Sequence, residues 1–448
     1  MNRWNFVFAT IILSACCSLF HFGCTPKDIR SMNARPSADW VKQSVIYEID
    51  FRSDSANRSF QALESQVPDL EKLGITVVSL FSIHPIGELN RKGRLGNPYA
   101  VKDFYSVNPD FGSLGDLKSL IRTAHRHGLK IIIPLAMSQA AWDSRLLMEH
   151  PEWFVQNEEG AIVSPNLESS DVAQLDFHQH ELRKYMIVMM KFWIQEIDAD
   201  GFRCHAADLI PTDFWDVARS ELDRTKPVML ISESMVPEFH VHAFDISCSW
   251  DMNGVCSNIG EGKSSAAVIN DSLTAEFHRF PKGSLHLRSI THIEPRRENL
   301  QKFAASDPEM MKMVTGLAFT LPGIPFLSAG RIADRPAAAV PFSTMNENVI
   351  ALRRNHPSLQ NGSYRIMPNS DSTRLFSFIR TSGADSVLMV FNFARKNNTA
   401  KIQMPAGVSE VWKEQFSEAM VQLSDSVLKI DLAPMEIMAL APNSMKGK

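Results

Sequence analysis

Hydrophobic positions along the chain follow two periods in turn. Short β-branched runs at 44–49, 76–81, 130–136, 201–206, 228–233, 243–250, 285–292 and 324–329 predict eight strands. Between most of them the spacing lengthens to that of a helix. Residues 114–127 set Leu117, Leu120, Ile121 and Ala124 on one face, and residues 181–197 do the same with Met186, Met189, Met190, Trp193 and Ile194. Eight alternations of strand and helix predict an α/β fold, a parallel (β/α)8 barrel over residues 40–361. The helix after the sixth strand is the faintest, because Gly, Ser and Asn dominate 258–273. The longest insertion, 138–179, follows the third strand. On a barrel it lies at the C-terminal face, where it would act as a lid or as the wall of a binding cleft.

Beyond a last helical stretch at 348–356 the pattern changes. Runs at 374–380, 386–393 and 427–432 are short, β-rich and separated by Gly, Asn, Ser and Asp, which predicts a small antiparallel β-sandwich over 362–448.

The first residues read as an export signal. Arg3 precedes an apolar run, and Leu13-Ser14-Ala15 sets small residues before Cys16, so residues 1–15 are expected to be a signal peptide and Cys16 the lipidated first residue. Leu-Ser-Ala-Cys resembles the bacterial lipobox. Cys24 is the alternative anchor, and an ordinary cleaved signal or an uncleaved apolar anchor is the plainer reading of the same segment. Residues 16–39 mix Pro, Ser, Asn and charge without apolar periodicity and are expected to be a flexible tether, which places the chain at a membrane surface outside the cytoplasm.

At 448 residues, with 44% hydrophobic residues and a formal net charge of −4, the chain can bury a large core and gives no sign of binding nucleic acid. Of the six cysteines, Cys204, Cys248 and Cys256 lie in the body, with no Cys-x-x-Cys spacing for zinc. Cys248 and Cys256 are either a disulfide pair or buried thiols.

The candidate chemistry sits at the strand ends. Asp200-Gly-Phe-Arg-Cys-His205, Val228-Met-Leu-Ile-Ser-Glu233 and Ser289-Ile-Thr-His-Ile-Glu-Pro-Arg296 resemble three strand motifs of the α-amylase family, glycoside hydrolase family 13. So do the stretches 96–105, 111–114, 125–128 and 171–176, and the resemblance runs from about residue 40 to 356. It implies a TIM-type barrel acting on α-glucans through two aspartates and one glutamate. Glu233 matches the general acid/base. His205 stands where the family has its nucleophilic Asp, and Ile293 where it has the Asp that stabilises the transition state; a slip of one residue would put Glu294 there instead. Arg203, His292, Tyr47 and Tyr99 match substrate-binding positions. In the third strand Pro134, Ser138 and Gln139 replace the family's Asp, Asn and His. Since that Asn often helps to bind calcium, no metal or cofactor is expected.

A retaining glycosidase needs two carboxyl groups about 5–5.5 Å apart. Imidazole at 205 would form a cationic adduct at an oxocarbenium-like carbon, and Ile293 supplies no charge. The resemblance therefore implies a catalytically inactive homologue, a lipoprotein whose cleft holds α-glucan or maltooligosaccharide. Two other readings stay open: an amylase-like interaction protein for a membrane partner, and a residual hydrolase that uses Glu233. Each kept residue also has a bland reading. Arg203 and Glu233 would form a structural ion pair, His205 a hydrogen-bonded core histidine, and Trp142 and Trp153 in the insertion would be buried aromatics rather than sugar platforms. A metal held by His205, His292 and Glu233 is the remotest alternative.

Overall fold

The computed structural model describes residues 28–52, 59–248, 262–289, 307–328 and 344–443, together with Val255, Asn258 and Ile259. Cys16, Cys24, Cys256, His292, Ile293 and Glu294 lie outside them, as do the signal segment and the far ends of three expected strands.

All eight expected strands form, and they close into one parallel barrel. They are β1 (Ile46–Asp50), β2 (Val77–Phe81), β3 (Lys130–Leu135), β6 (Gly201–Cys204), β7 (Met229–Ser232), β8 (Ile246–Cys248), β9 (Leu285–Ser289) and β10 (Ile324–Ser328), with β10 returning to β1. Strand side chains alternate between lumen and outer shell. Ile46, Val77, Ile132, Ile231, Ile246 and Phe326 fill the lumen as one buried cluster, so residues two further along each strand also face inward. Pro134 is tolerated in β3 because the β2 ladder has already ended at Ser79 and Ile132. Gly201 is needed where β6 begins: a Cβ there would lie 2.0 Å from the Met229 carbonyl oxygen.

The connecting helices include α1 (Phe60–Leu73), α2 (Leu114–Arg126), α3 (His180–Gln195), α4 (Thr212–Asp223), α5 (Phe239–His242), α6 (Ala267–Arg279), α7 (Pro308–Thr320) and α8 (Thr344–Asn355). α2 starts at a capping box, with Ser113 and Asp116 each satisfying a backbone N–H of the other. The faint sixth helix is α6. It begins within the Gly/Ser/Asn-rich stretch, at Ala267, runs on to Arg279 and buries Ile269, Leu273 and Glu276.

The insertion after β3 folds as a short antiparallel ribbon, β4 (Gln139–Ala141) with β5 (Val172–Gln174), plus loops. Trp153 is buried there, stacked on His150 at 3.9 Å, and Trp142 donates its indole N–H to the Ser170 carbonyl at 3.0 Å. The bland reading holds for Trp153.

The expected flexible tether is corrected from Asp28 onward. Ala34 and Lys282 share a backbone bond, Arg35 N–H donates to the His240 carbonyl, and Arg35 and Ser37 both bond the carboxylate of Asp245 at 2.5 and 2.8 Å. A fully buried acid needs such partners, and they hold the segment on the barrel's N-terminal face.

The C-terminal domain is antiparallel, as expected. Its eight strands, β11 (Ser363–Ile366), β12 (Leu375–Ser382), β13 (Asp385–Asn392), β14 (Asn398–Gln403), β15 (Val411–Glu414), β16 (Met420–Ser424), β17 (Val427–Leu432) and β18 (Ile437–Pro442), run in the order β11-β12-β13-β18-β15-β16-β17-β14. The sheet curls until its ends approach: Asn369 bridges Ile402, and Ser370 bonds the backbone of Thr399 and Lys401. Helix α7 packs against it closely enough that a Cβ on Gly316 would meet Ile437 at 2.5 Å.

Candidate functional site

At the C-terminal end of the lumen the chain assembles a charged cluster from three strands. Arg203 on β6 is completely buried, and its guanidinium is gripped from both sides, by Glu233 just past β7 and by Glu48 on β1 at 2.5 Å. Above and beside it lie the rings of Phe81 and Phe326, 5.4 and 5.6 Å from the guanidinium carbon, at cation–π range. Burial works against the charge of Arg203, but Glu233 and then Glu48 outweigh it and raise its pKa. Arg203 is therefore a fixed cation.

His205 completes the cluster. Its Nδ1 lies 2.7 Å from the second oxygen of Glu233, while the first is taken by Arg203. The oxygen of Glu233 that Arg203 leaves open therefore faces Nδ1, and the carboxylate bridges the guanidinium and the imidazole. The Tyr99 ring lies flat on the imidazole, 3.6 Å between centroids and 4° from parallel, and meets Phe81 edge-on at 5.8 Å. Side-chain exposure separates the members: 0% for Arg203, 3% for Glu233, 5% for Glu48 and 16% for His205. Histidine is the most exposed member of the cluster. His205 lies just past the end of β6, and the next residue, Ala206, takes a left-handed conformation with φ of 47°.

The expected site residues thus divide. Arg203, His205, Glu233 and Tyr99 come together. Tyr47 does not, and its expected place at the sugar is corrected. Glu48 faces the lumen, so alternation turns Tyr47 outward, where it is 4% exposed in the apolar layer under the helices. Glu48 was not singled out from sequence. A charged residue with lumen parity in an apolar strand was the available signal. Cys204 points away from the cluster, and burial raises its thiol well above the usual range, which removes it as a nucleophile. Ser138 and Gln139 are both buried at the start of the insertion. Among the described residues no three His, Cys, Asp or Glu side chains gather as a metal site requires.

Chemically, the cluster offers one carboxylate beside an imidazole, with a second carboxylate, Glu48, behind Arg203. Glu233 and His205 can pass a proton.

Comparison with known proteins gives the same fold. Residues 51–150 match the family model of the α-amylase catalytic domain. The α-amylase MalA of Haloarcula japonica is 23% identical over 399 residues, spanning 82% of this chain and 58% of the relative. A cyclomaltodextrinase of Geobacillus thermopakistaniensis is 21% identical over 439 residues, 84% of this chain and 72% of the relative. Among solved structures, the noncanonic maltogenic α-amylase AmyB of Thermotoga neapolitana superposes with a TM-score of 0.81 at 29% identity, covering 90% of this chain and 99% of that one. With the barrel closed, the curled sheet behind it and the β6 and β7 strand ends in place, the chain is a homologue of the α-amylase family, glycoside hydrolase family 13, and has its fold.

Proposed function

We propose that the chain serves carbohydrate metabolism by holding an α-glucan or maltooligosaccharide in an amylase-like cleft without hydrolysing it. The observation that carries this reading is His205, hydrogen-bonded to Glu233 where a nucleophilic carboxylate would stand. The relatives' activities on maltose-based glucans support the ligand class. Tyr99 stacks on His205, the most exposed member of the cluster, which suits an aromatic wall beside a sugar.

Loss of members of such a catalytic unit costs about 10⁴-fold or more in rate. The wild type is expected to show no hydrolysis of maltoheptaose yet to bind it by calorimetry. Restoring both carboxylates with His205→Asp and Ile293→Asp should return turnover, and adding Glu233→Gln should remove it again. Wild-type turnover that vanishes in Glu233→Gln would overturn the inactive reading. A folded protein that binds no maltooligosaccharide would overturn the glucan-holding reading in favour of an interaction protein. The lipid anchor belongs to the same proposal. A fatty-acid label should be lost in Cys16→Ala, and loss only in Cys24→Ala would move the anchor.

A further inference from the structure

Far from the lumen cluster, the N-terminal end of the barrel carries an excess of buried positive charge. Three arginines converge on the carbonyls that end helix α7 and start β10. Arg380 Nη1 donates to Thr320, Arg353 to Phe319 and Gly323, and Arg288 Nε to Pro322, at 2.7 to 3.2 Å. The helix end supplies roughly half a negative charge. Glu276 supplies a full one, bonding Arg288 at 2.6 and 3.0 Å. The remaining partners of Arg353 and Arg380 are carbonyls of Leu359, Gly362 and Ser363. Among the described residues no carboxylate reaches either, and Arg353 Nε is buried without a hydrogen-bond partner. With Arg288 paired to Glu276, Arg353 and Arg380 face about half a negative charge among the described residues, in a place where an unbalanced charge is costly.

Beside them a cleft of about 370 Å³ opens between the barrel and the C-terminal sheet. Arg288 and Arg380 form part of its wall, with Lys42, Ser284 and Asn361 also lining it. Asp39 is there too, 3.3 Å from Lys42, but this exposed pair at the rim is weak and leaves Lys42 able to turn to a ligand. His286, in the same wall, is kept neutral by burial at neutral pH.

We propose that this cleft binds a tetrahedral oxyanion, free or as the phosphate of a small organic ester, through Arg380 and Lys42. Of the five guanidinium N–H groups of Arg380, three are spent on carbonyls, which leaves donors for the ligand. Burial and then the neighbouring Arg380 bring Arg353 down to about 9, while burial and then Arg288 bring Arg380 down to about 10. A bound anion would relieve both.

The test compares thermal unfolding of the purified protein at neutral pH in phosphate, in glycerol 3-phosphate and in chloride of matched ionic strength. Phosphate should raise the midpoint by about 2 °C over chloride. Asn361→Asp, which adds a carboxylate to the same wall with almost no change of shape, should raise the chloride midpoint and abolish the phosphate increment. Lys42→Gln, at the rim, should weaken phosphate binding about threefold or more in calorimetry while leaving the fold intact. Equal shifts with phosphate and the ester identify a free oxyanion as sufficient, and a larger shift with the ester identifies an organic phosphate. No increment over chloride, or the same increment in Asn361→Asp, overturns the site.

Discussion

The two ends of one strand show how differently the barrel treats charge. Where β6 begins, Asp200 is buried and fully supplied by its surroundings: His125 at 2.7 Å, Lys130 at 3.1 Å and the Ile131 N–H at 2.9 Å. Burial alone would raise its pKa, but these bonds, His125 first, bring it below the ordinary carboxylate value. Asp245, at the same end, is closed in the same way by Arg35, Arg219, Ser37 and the Leu230 N–H. Where β6 ends, the polarity is reversed. A buried cation, Arg203, gathers two carboxylates, and the outermost member, His205, keeps an edge exposed. One end is a sealed anchor and the other a partly open cluster. Charge that serves only the fold is satisfied within the fold, whereas a site must leave something for a ligand.

Changes at the sealed end should therefore cost the most stability. Asp245→Ala strips Arg35, Arg219 and a backbone N–H of their acceptor at once. We expect a loss of about 3–5 kcal/mol, read from urea unfolding. A loss below about 1 kcal/mol would mean that water replaces the carboxylate and that the end is not sealed.

A second measurement concerns pH. His240 and His286 lie behind β8 and β9, joined through Ser247 Oγ at 2.9 and 3.1 Å. Burial lowers His240 to about 3 and His286 to about 4. Their folded pKa values lie below the unfolded value of about 6.5, so the unfolded chain takes up protons first as pH falls. The stability they hold is complete above pH 6.5 and drains away as pH drops towards 4. Between pH 7 and 5 the loss should be about 1–2 kcal/mol per histidine, and His240→Phe should flatten that slope in thermal unfolding. An unchanged slope would locate the acid sensitivity elsewhere.

The smallest effect belongs to the open end. Tyr99→Leu removes the flat ring contact to His205 while keeping apolar bulk, and should cost about 1 kcal/mol. If the cleft holds sugar, the same variant should weaken maltoheptaose binding by more than it weakens the fold. Equal losses in both would make Tyr99 a structural residue.

Much of this was legible in the residues. The strand runs were found with ends shifted by a few positions, because each buried strand has a continuous apolar signal that turns cannot imitate. Helix α6 is the faintest in the sequence, since its three buried residues, Ile269, Leu273 and Glu276, make a narrow stripe with an acid in it. At the site, alternation along β6 correctly put Arg203 and His205 on one face. The same alternation along β1 separates Tyr47 from Glu48, and reading it there would have exchanged one for the other.

The sequence by itself determined the barrel, its antiparallel companion and the shared face of Arg203 and His205, because periodicity and residue identity are local properties. Only the tertiary structure decided which charges meet. Glu48 reaches Arg203 across residues far apart in the chain, Arg35 turns an expected tether into a docked strap by meeting Asp245, and three arginines gather at the end of α7. Such pairings depend on strand register and on how the elements close around the core, and a one-dimensional pattern does not carry that geometry.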